Sequence, residues 1–288
     1  MKVLVIGGTR FFGKRLVQNL LQKGHQVTLL TRGTTPDEFG GSVQRLTGDR
    51  TDAQKLRSLI TQNYDSVVDQ LCMTAADAHA SMAAFKGRIG QYIMTSTLSV
   101  YDPDAVLSET DWMAEDYRVG EASNPYQEGK RAAEHAFLSA PFPVARMRIP
   151  IVLGTDDYTR RLHMHIEHVA QGKPLSFPNL VAEFSYVRSE DAAGALEWLL
   201  ETAQKDVFNI SAADNWSNRE LMSQIENVVG KKALFAEDGT PSPFGIERDY
   251  YMDVNKAAKA GFKAQDLALW LPQLIYKLSH LNPSISKA

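Results

Sequence analysis

The sequence predicts an α/β fold: a doubly wound parallel sheet followed by a smaller α/β lobe. Three observations predict it. Short apolar runs alternate with helical patterns over the first 150 residues. A glycine-rich turn, Gly7-Gly8-Thr9-Arg10-Phe11-Phe12-Gly13, separates the first such run from the first helical pattern. After Gly154 the alternation loosens. Strict strand–helix alternation argues for a parallel sheet covered on both faces, and right-handed crossovers wind it doubly.

The elements follow in order. Val3 to Ile6 reads as a buried strand, and Phe12, Leu16, Val17, Leu20 and Leu21 recur at helical spacing until Gly24. Gln26 to Leu30 and Val43 to Leu46 are the second and third strands, the latter followed by a helix capped near Thr51 or Asp52. Ser66 to Asp69 is the fourth strand, an Ala/Met-rich helix covers about 76–85, and Gln91 to Thr95 is the fifth strand. A helix beginning near Tyr126 runs to about Leu138, and Val144 to Ile149 is the sixth strand. Beyond it, helices are expected over 160–171, 189–203, 218–229 and 267–281, with short strands near 183–187 and 207–210. Gly239 to Gly245 is a turn-rich loop, and the tail from Asn282 to Ala288 reads as a frayed end. Residues 1–150 are thus expected to bind a ligand at the carboxyl ends of the strands. Residues 151–288 form mostly a substrate lobe, with some segments returning to the sheet.

Composition narrows the function. The chain has 288 residues, 44% hydrophobic and 23% charged, with net charge −3, so no global field draws it to nucleic acid or an anionic membrane. Its single cysteine, Cys72, excludes an internal disulfide and a cysteine-rich metal site, and fits a cytoplasmic location. The N-terminal apolar run is too short for a signal-peptide core, and no stretch is long enough to span a bilayer.

The glycine turn sits between strand and helix, where a dinucleotide pyrophosphate is bound by close backbone approach and by the helix N-terminus. At the end of the second strand a carboxylate would hold an NAD ribose, but Thr31-Arg32 stand there, with Arg10 in the loop. Two cations and no acid favour NADP(H), with NAD(H) the alternative. Asp49-Arg50, after the third strand, reads either as an adenine contact or as a helix-capping turn.

Tyr126-Gln-Glu-Gly-Lys130 places a phenol and an ammonium one helical turn apart. An unperturbed phenol titrates near about 10, and a fixed cation beside it lowers that value. Such a pair suits proton transfer to an alcohol or carbonyl. Thr95-Ser96-Thr97-Leu98-Ser99-Val100-Tyr101 brings hydroxyls to the end of the fifth strand.

With these motifs, and with Arg148-Ile-Pro-Ile-Val-Leu-Gly154, Phe184-Ser-Tyr-Val-Arg-Ser-Glu-Asp191 and Val207-Phe-Asn-Ile210, the chain resembles the extended short-chain dehydrogenase/reductase superfamily of the NAD(P)-dependent epimerase/dehydratase type. The resemblance covers nearly the whole chain and implies a Rossmann fold. It implies Thr97 as the hydroxyl that bonds the reacting oxygen, Tyr126 as its proton-transfer group, and Lys130 as the residue that holds the nicotinamide ribose and lowers the tyrosine. The cofactor shell it implies comprises Gly7, Thr9, Arg10, Phe11, Phe12, Gly13, Thr31, Arg32, Asp49, Arg50, Leu71, Thr95, Tyr126, Lys130 and Ile149. The Gly-Gly-Thr-Arg-Phe variant is similar to a subgroup of chloroplast stem-loop-binding proteins and bacterial relatives described as sugar-nucleotide epimerases. Leu98-Ser99 replace the Asp-Glu pair that follows the threonine in 4,6-dehydratases, which weighs against elimination chemistry. Phe184 stands where many epimerases carry a diphosphate-binding arginine; Arg160, Arg161 and Arg188 are the candidate replacements.

Two functions remain open on this reading. One is an NAD(P)-dependent epimerase or reductase acting on a nucleotide-sugar or similar small molecule. The other is a cofactor-binding regulatory or RNA-associated protein on the same fold, against which the acidic charge weighs. His163, His165 and His168 lack metal-ligand spacing, so no metal is expected. Cys72 reads as a buried hydrophobe rather than a nucleophile, and Tyr158 and Trp216 as core or stacking aromatics. Met82, Phe85 and Phe137 read either as core or as a homodimer seam along the helices near 76–86 and 125–138.

Overall fold

The computed structural model describes residues 1–281; the expected frayed tail lies outside the described residues. The first half forms β1 (Lys2–Ile6), α1 (Phe11–Gln22), β2 (Gln26–Thr31), β3 (Gln44–Thr47), α2 (Ala53–Leu59), β4 (Tyr64–Asp69), α3 (Ala75–Phe85), β5 (Ile89–Thr97), α4 (Pro125–Ala136) and β6 (Val144–Ile149). The second half adds β7 (Ile151–Leu153), α5 (Arg161–Gln171), β8 (Leu175–Ser176), β9 (Glu183–Phe184), β10 (Tyr186–Arg188), α6 (Ser189–Glu201), β11 (Val207–Asn209), β12 (Trp216–Ser217), α7 (Asn218–Val229), β13 (Thr240–Pro241), α8 (Asn255–Lys259) and α9 (Leu267–Leu281).

One seven-stranded sheet, in the order β11-β6-β5-β4-β1-β2-β3, carries the fold, and every pairing in it is parallel. Leu16, Val17 and Leu20 of α1 and Ala192, Leu196 and Leu199 of α6 bury one face of it against Val3, Val5 and Ile93. Leu56 of α2, Ala78 and Phe85 of α3 and Ala133 of α4 cover the other, against Leu4, Ile6 and Tyr92. The strand order reverses between β1 and β4, which opens a crevice at their carboxyl ends. β11 and α6 come from the second half of the chain, so the sheet draws on both halves. A second core, built from Leu162, Ile166, Tyr186, Leu221 and Leu271 among others, forms the smaller lobe.

Three elements depart from expectation for local reasons. β5 runs nine residues to Thr97, because Ser96 Oγ is held at 2.5 Å by the buried carboxylate of Glu134. The strand expected over 183–187 is two strands. Between them Ser185 Oγ donates to Asn215 Oδ1 and accepts from Met252 N–H, so β9 pairs antiparallel with β12 while β10 pairs parallel with β7. α4 stops at Ala136, where a 3-10 turn over Phe137–Ser139 takes the chain toward Pro141. Met82, Phe85 and Phe137 are buried core residues around Tyr92, the first of their two readings. Among the described residues, no helix is long and apolar enough to cross a membrane, and no cluster of His, Cys, Asp or Glu is arranged to hold a metal.

His165 gives the smaller lobe a pH dependence. It is fully buried, stacked on Phe244 at 4.6 Å, with Nδ1 at 2.8 Å from the Arg161 carbonyl and Nε2 at 2.7 Å from Ser242 Oγ. A carbonyl only accepts, so Nδ1 donates and Nε2 accepts from the serine, which is the neutral tautomer. Burial pushes the imidazole from 6.5 to about 4. A folded-state value below the unfolded one stabilises the fold above the unfolded pKa, and that stability is lost as pH falls toward the folded one. Stability should therefore drop between pH 6.5 and about 4, by roughly 3 kcal/mol from this residue. Chemical denaturation across that range should show a shallower drop in His165→Gln; identical slopes would remove His165 as the cause.

Candidate active site

The crevice at the sheet's carboxyl edge is a cleft of about 560 Å³ lined by Gly7, Thr9, Arg10, Phe11, Phe12, Thr31, Arg32, Asp49, Arg50 and Leu71 of the expected cofactor shell. Gly7 adopts φ +85°, and a Cβ there would meet Leu71 Cγ at 2.8 Å, so the turn needs glycine on both counts. Gly33, Thr34, Thr35, Thr51, Gln70 and Tyr158 also line the cleft and were not in that shell. Thr34 and Thr35 follow the end of β2, which was the signal available for them. Arg10 is held over the Tyr158 ring at 5.7 Å, reaching from the glycine loop to the segment after β7. Arg32 has no ion pair among the described residues.

Below the cleft lies a buried polar knot. Arg50 Nη2 bonds Asp69 Oδ2 at 2.5 Å and Ser81 Oγ at 2.9 Å, and Nη1 lies 2.7 Å from Asp77 Oδ1. Tyr92 donates its hydroxyl to Asp69, whose other oxygen accepts from Leu71 N–H at 2.7 Å. Arg50 is thus part of the floor that fixes Leu71 against Gly7. Asp49 closes its own turn, accepting from Thr51 N–H and Oγ1–H, while the cap of α2 is Asp52. Gly13 is packed against the Gln70 side chain, and Ile149 lies in the core. Neither lines the cleft.

α4 carries the candidate catalytic pair and is fastened in an unusual way. Asn124 caps it, accepting from Gln127 N–H, and Pro125 starts it. Its buried stripe at i, i+3, i+4 and i+7 is polar: Gln127, Lys130, Arg131 and Glu134. Gln127 donates to the Tyr101 carbonyl (2.9 Å) and Arg131 to the Val100 carbonyl (2.7 Å). Glu134 accepts from Ser96 and from both Nε and Nη2 of Arg148, at 3.1 and 2.7 Å. Burial alone would raise the Glu134 carboxyl, but Arg148 overrides it and holds it below the usual range. Arg148 also bonds the Tyr101 hydroxyl, which donates to Asn209 at the end of β11. Gly129 lets this helix close on the chain before α3, since a Cβ there would sit 2.5 Å from the Met73 carbonyl oxygen.

The stripe sets Lys130 Nζ between the carbonyls of Cys72 (2.8 Å) and Thr95 (2.9 Å). Burial lowers its pKa, against the neighbouring Cys72, Asp69 and Glu134 groups. Two of its three N–H groups are committed, leaving one free to donate. Thr95 enters the site through this carbonyl, its own hydroxyl finding no protein partner. Thr97 Oγ1 accepts from Ser99 N–H at 3.1 Å. Tyr126 is 45% exposed overall, yet desolvation raises its pKa; the neighbouring Thr97 hydroxyl and the charge of Arg161 oppose that rise. The Lys130 ammonium is bonded to backbone carbonyls, and the charge that eases the phenol in this structure is that of Arg161. The other two candidate substrate arginines are committed elsewhere: Arg160 to Glu167 at 2.6 Å, and Arg188 to Asp191 at 2.8 Å. Cys72 is buried, and burial pushes its thiol up, away from nucleophilic character.

Comparison with known proteins follows this geometry. Residues 3–211 match the sequence profile of the NAD dependent epimerase/dehydratase family. The chain is 28% identical over 227 residues to the chloroplast stem-loop binding protein of 41 kDa b from Arabidopsis thaliana, a match spanning 73% of this chain and 58% of the plant protein. It is 23% identical over 243 residues to 2'-dehydrokanamycin reductase of Streptomyces kanamyceticus, spanning 80% of this chain and 67% of that one. Among solved structures, the UDP-glucose 4-epimerase of Thermus thermophilus in complex with NAD superposes with TM-score 0.75 at 19% identity, covering 99% of this chain and 100% of the other. That likeness shows the shared fold.

The Glu134–Arg148 pair yields a stability prediction. Glu134→Gln leaves a buried guanidinium without its counter-charge and should cost about 3–5 kcal/mol in chemical denaturation. Pairing Glu134→Leu with Arg148→Met should recover most of that loss. A single-variant cost below about 1 kcal/mol would contradict the pair's structural role.

Proposed function

The chain belongs to the NAD dependent epimerase/dehydratase family, and we propose that it is an NAD(P)-dependent epimerase or reductase acting on a hydroxyl or carbonyl of a nucleotide-sugar or similar small molecule. The observation that carries this reading is a glycine-turn cleft of dinucleotide size at the sheet's carboxyl edge, with Tyr126 and the backbone-anchored Lys130 on one helix and Thr97 at the end of β5. The cleft fits the cofactor: the glycine turn has the required positive φ, and the N-terminus of α1 lies behind it.

In this mechanism the Thr97 hydroxyl orients the reacting oxygen and Tyr126 gives or takes its proton. Lys130, anchored by two carbonyls, offers its remaining N–H to the nicotinamide ribose. The bound nicotinamide supplies hydride exchange with the substrate carbon. Leu98-Ser99 put no acid–base pair after Thr97, so the proposed chemistry is epimerisation or reduction rather than 4,6-elimination. For the cofactor we favour NADP(H), on Arg32 and the neighbouring Thr34 and Thr35 at the cleft rim. Arg10, turned to Tyr158, contributes less to that preference. For self-association, support comes from the groove between α3 and α4, edged by His79, His135 and Leu138.

Tyr126→Phe should abolish turnover of any active sugar nucleotide or carbonyl compound while NADPH affinity stays within about twofold; surviving activity would overturn the proton-transfer role. Arg32→Ala should weaken NADPH binding about tenfold or more with little change for NADH, read by cofactor fluorescence titration. Wild-type protein that prefers NADH would exclude the NADP assignment. Salt-sensitive RNA binding without any turnover would favour the binding-protein reading that the plant relative's name suggests.

A further inference from the structure

We propose that residues 154–160 form a clasp over the cofactor cleft, latched by the Arg10 guanidinium on the Tyr158 ring, and that this latch sets the rate at which a nicotinamide dinucleotide binds and leaves. The inference rests on the oxidoreductase reading above and adds to it a control on cofactor exchange.

The segment joins β7 to α5 and is fastened to the cofactor turn and α1 at three successive points. At Gly154 the chain runs so close to Phe11 that a Cβ would sit 2.9 Å from its ring. At Asp156 a carboxylate oxygen accepts from Arg15 Nη2 at 2.9 Å, and Arg15 Nη1 lies 3.1 Å from Glu190 at the start of α6. At Tyr158 the ring lies beneath Arg10 at 5.7 Å and meets the Phe11 ring edge-on at 6.4 Å. Two tight turns shape the segment: Asp157 N–H donates to the Gly154 carbonyl at 3.3 Å, and Arg160 N–H to the Asp157 carbonyl at 3.1 Å. Arg160, at φ +54°, then redirects the chain into α5. Phe11 also holds a left-handed backbone, at φ +50°. A bulky residue is strained there and persists only where its surroundings hold it. Phe11 is buried, with Gly154 and Tyr158 against its ring.

The three fastenings differ in strength. Phe11 is buried and Asp156 is ion-paired, but Tyr158 is 64% exposed and lines the cleft together with Arg10, Phe11 and Leu71. A cation over an exposed ring is a weak, reversible contact. Tyr158 is therefore the end of the segment that can let go. Arg10 ties this latch to the cofactor. A guanidinium that stacks by its face keeps its N–H edge free, and Arg10 has no ion pair among the described residues. That edge suits a pyrophosphate bound at the glycine turn. The acids of the segment do not oppose it, since Asp156 is paired with Arg15 and Asp157 is buried, accepting from Thr159 N–H and Oγ1–H. One side chain thus holds the cofactor by its edge and the clasp by its face, so that a bound dinucleotide keeps its own clasp shut. A reaction that discharges its cofactor at every turnover has to open this clasp each time. One that takes and returns hydride within a single binding does not.

Stopped-flow fluorescence reads the exchange directly. NADPH and NADH are each mixed with the protein to give the association rate, and the tighter of the two is then displaced by an excess of its oxidised form to give the dissociation rate. Tyr158→Ala, at a largely exposed position, should speed both rates about fivefold or more, so that affinity falls less than dissociation rises. That pattern marks a gate, because loss of an ordinary contact acts on dissociation alone. Tyr158→Phe keeps the ring and should stay within about twofold of wild type. Arg10→Gln loses latch and phosphate contact together and should raise dissociation about tenfold or more. Unchanged rates in Tyr158→Ala, a rise in its dissociation alone, a Tyr158→Phe as fast as Tyr158→Ala, or unchanged dissociation in Arg10→Gln overturns the clasp and leaves the oxidoreductase reading standing. If neither dinucleotide binds wild type, that reading falls and the clasp falls with it.

Discussion

Glu134 and Arg148 meet in the interior, on a helix and a strand that both lead to the active site, and neither has measurable contact with solvent. Two buried charges repay their desolvation only when geometry and further hydrogen bonds are good, and here both conditions hold. The carboxylate has Ser96 as a second donor, and the guanidinium has Tyr101. The pair therefore joins α4, β5, β6 and β11 at one point. With Gln127, Lys130 and Arg131 on the same stripe, it fixes the helix in rotation and in height above the strand ends. An apolar stripe of equal area would hold the helix without specifying its register to the fraction of an ångström that proton transfer demands. Tyr126 is where it is because the residues below it are polar.

The same logic runs under the cofactor cleft. Arg50, Asp69, Asp77, Ser81 and Tyr92 link the end of β3, the end of β4 and the start of α3, and Asp69 finishes the link by holding Leu71. Asp77 also closes the capping box of α3 with Thr74. Two charged knots, one on each side of β5, thus support the two halves of the candidate active site. Both stand out of reach of solvent, so salt screens them little.

What was legible in the sequence was local. The glycine turn between β1 and α1 and the helix that carries Tyr126 and Lys130 follow from backbone geometry and short-range periodicity, and they lie where that reading put them. What was not legible depended on partners far apart in the chain. Arg50 reads as a cleft contact and does line the cleft, but its guanidinium is committed to acids 19 and 27 residues on, which no local pattern announces. Arg160, Arg161 and Arg188 were equivalent as sequence, and only the positions of Glu167 and Asp191 separate them. The carbonyls that engage Lys130 belong to Cys72 and to Thr95 in β5, 58 and 35 residues away in the chain, beyond the reach of any local pattern. The split of β9 from β10 turns on one serine bonded across the lobe. A scan for apolar periodicity also misses the inner face of α4, because that face is polar.

The place of β11 and α6 bears on how the protein is made. The strand beside β6 and the helix against α1 follow residue 188, well after the cofactor cleft is complete in the nascent chain. At a synthesis rate of roughly 5–20 residues per second, the 57 residues that separate β6 from β11 take about 3–11 s to emerge. Through that interval the early chain carries an open strand edge at β6 and an uncovered apolar flank on α1. Vectorial folding thus ends with an insertion from the later half, and premature termination before residue 207 would leave an edge exposed to pairing with other chains.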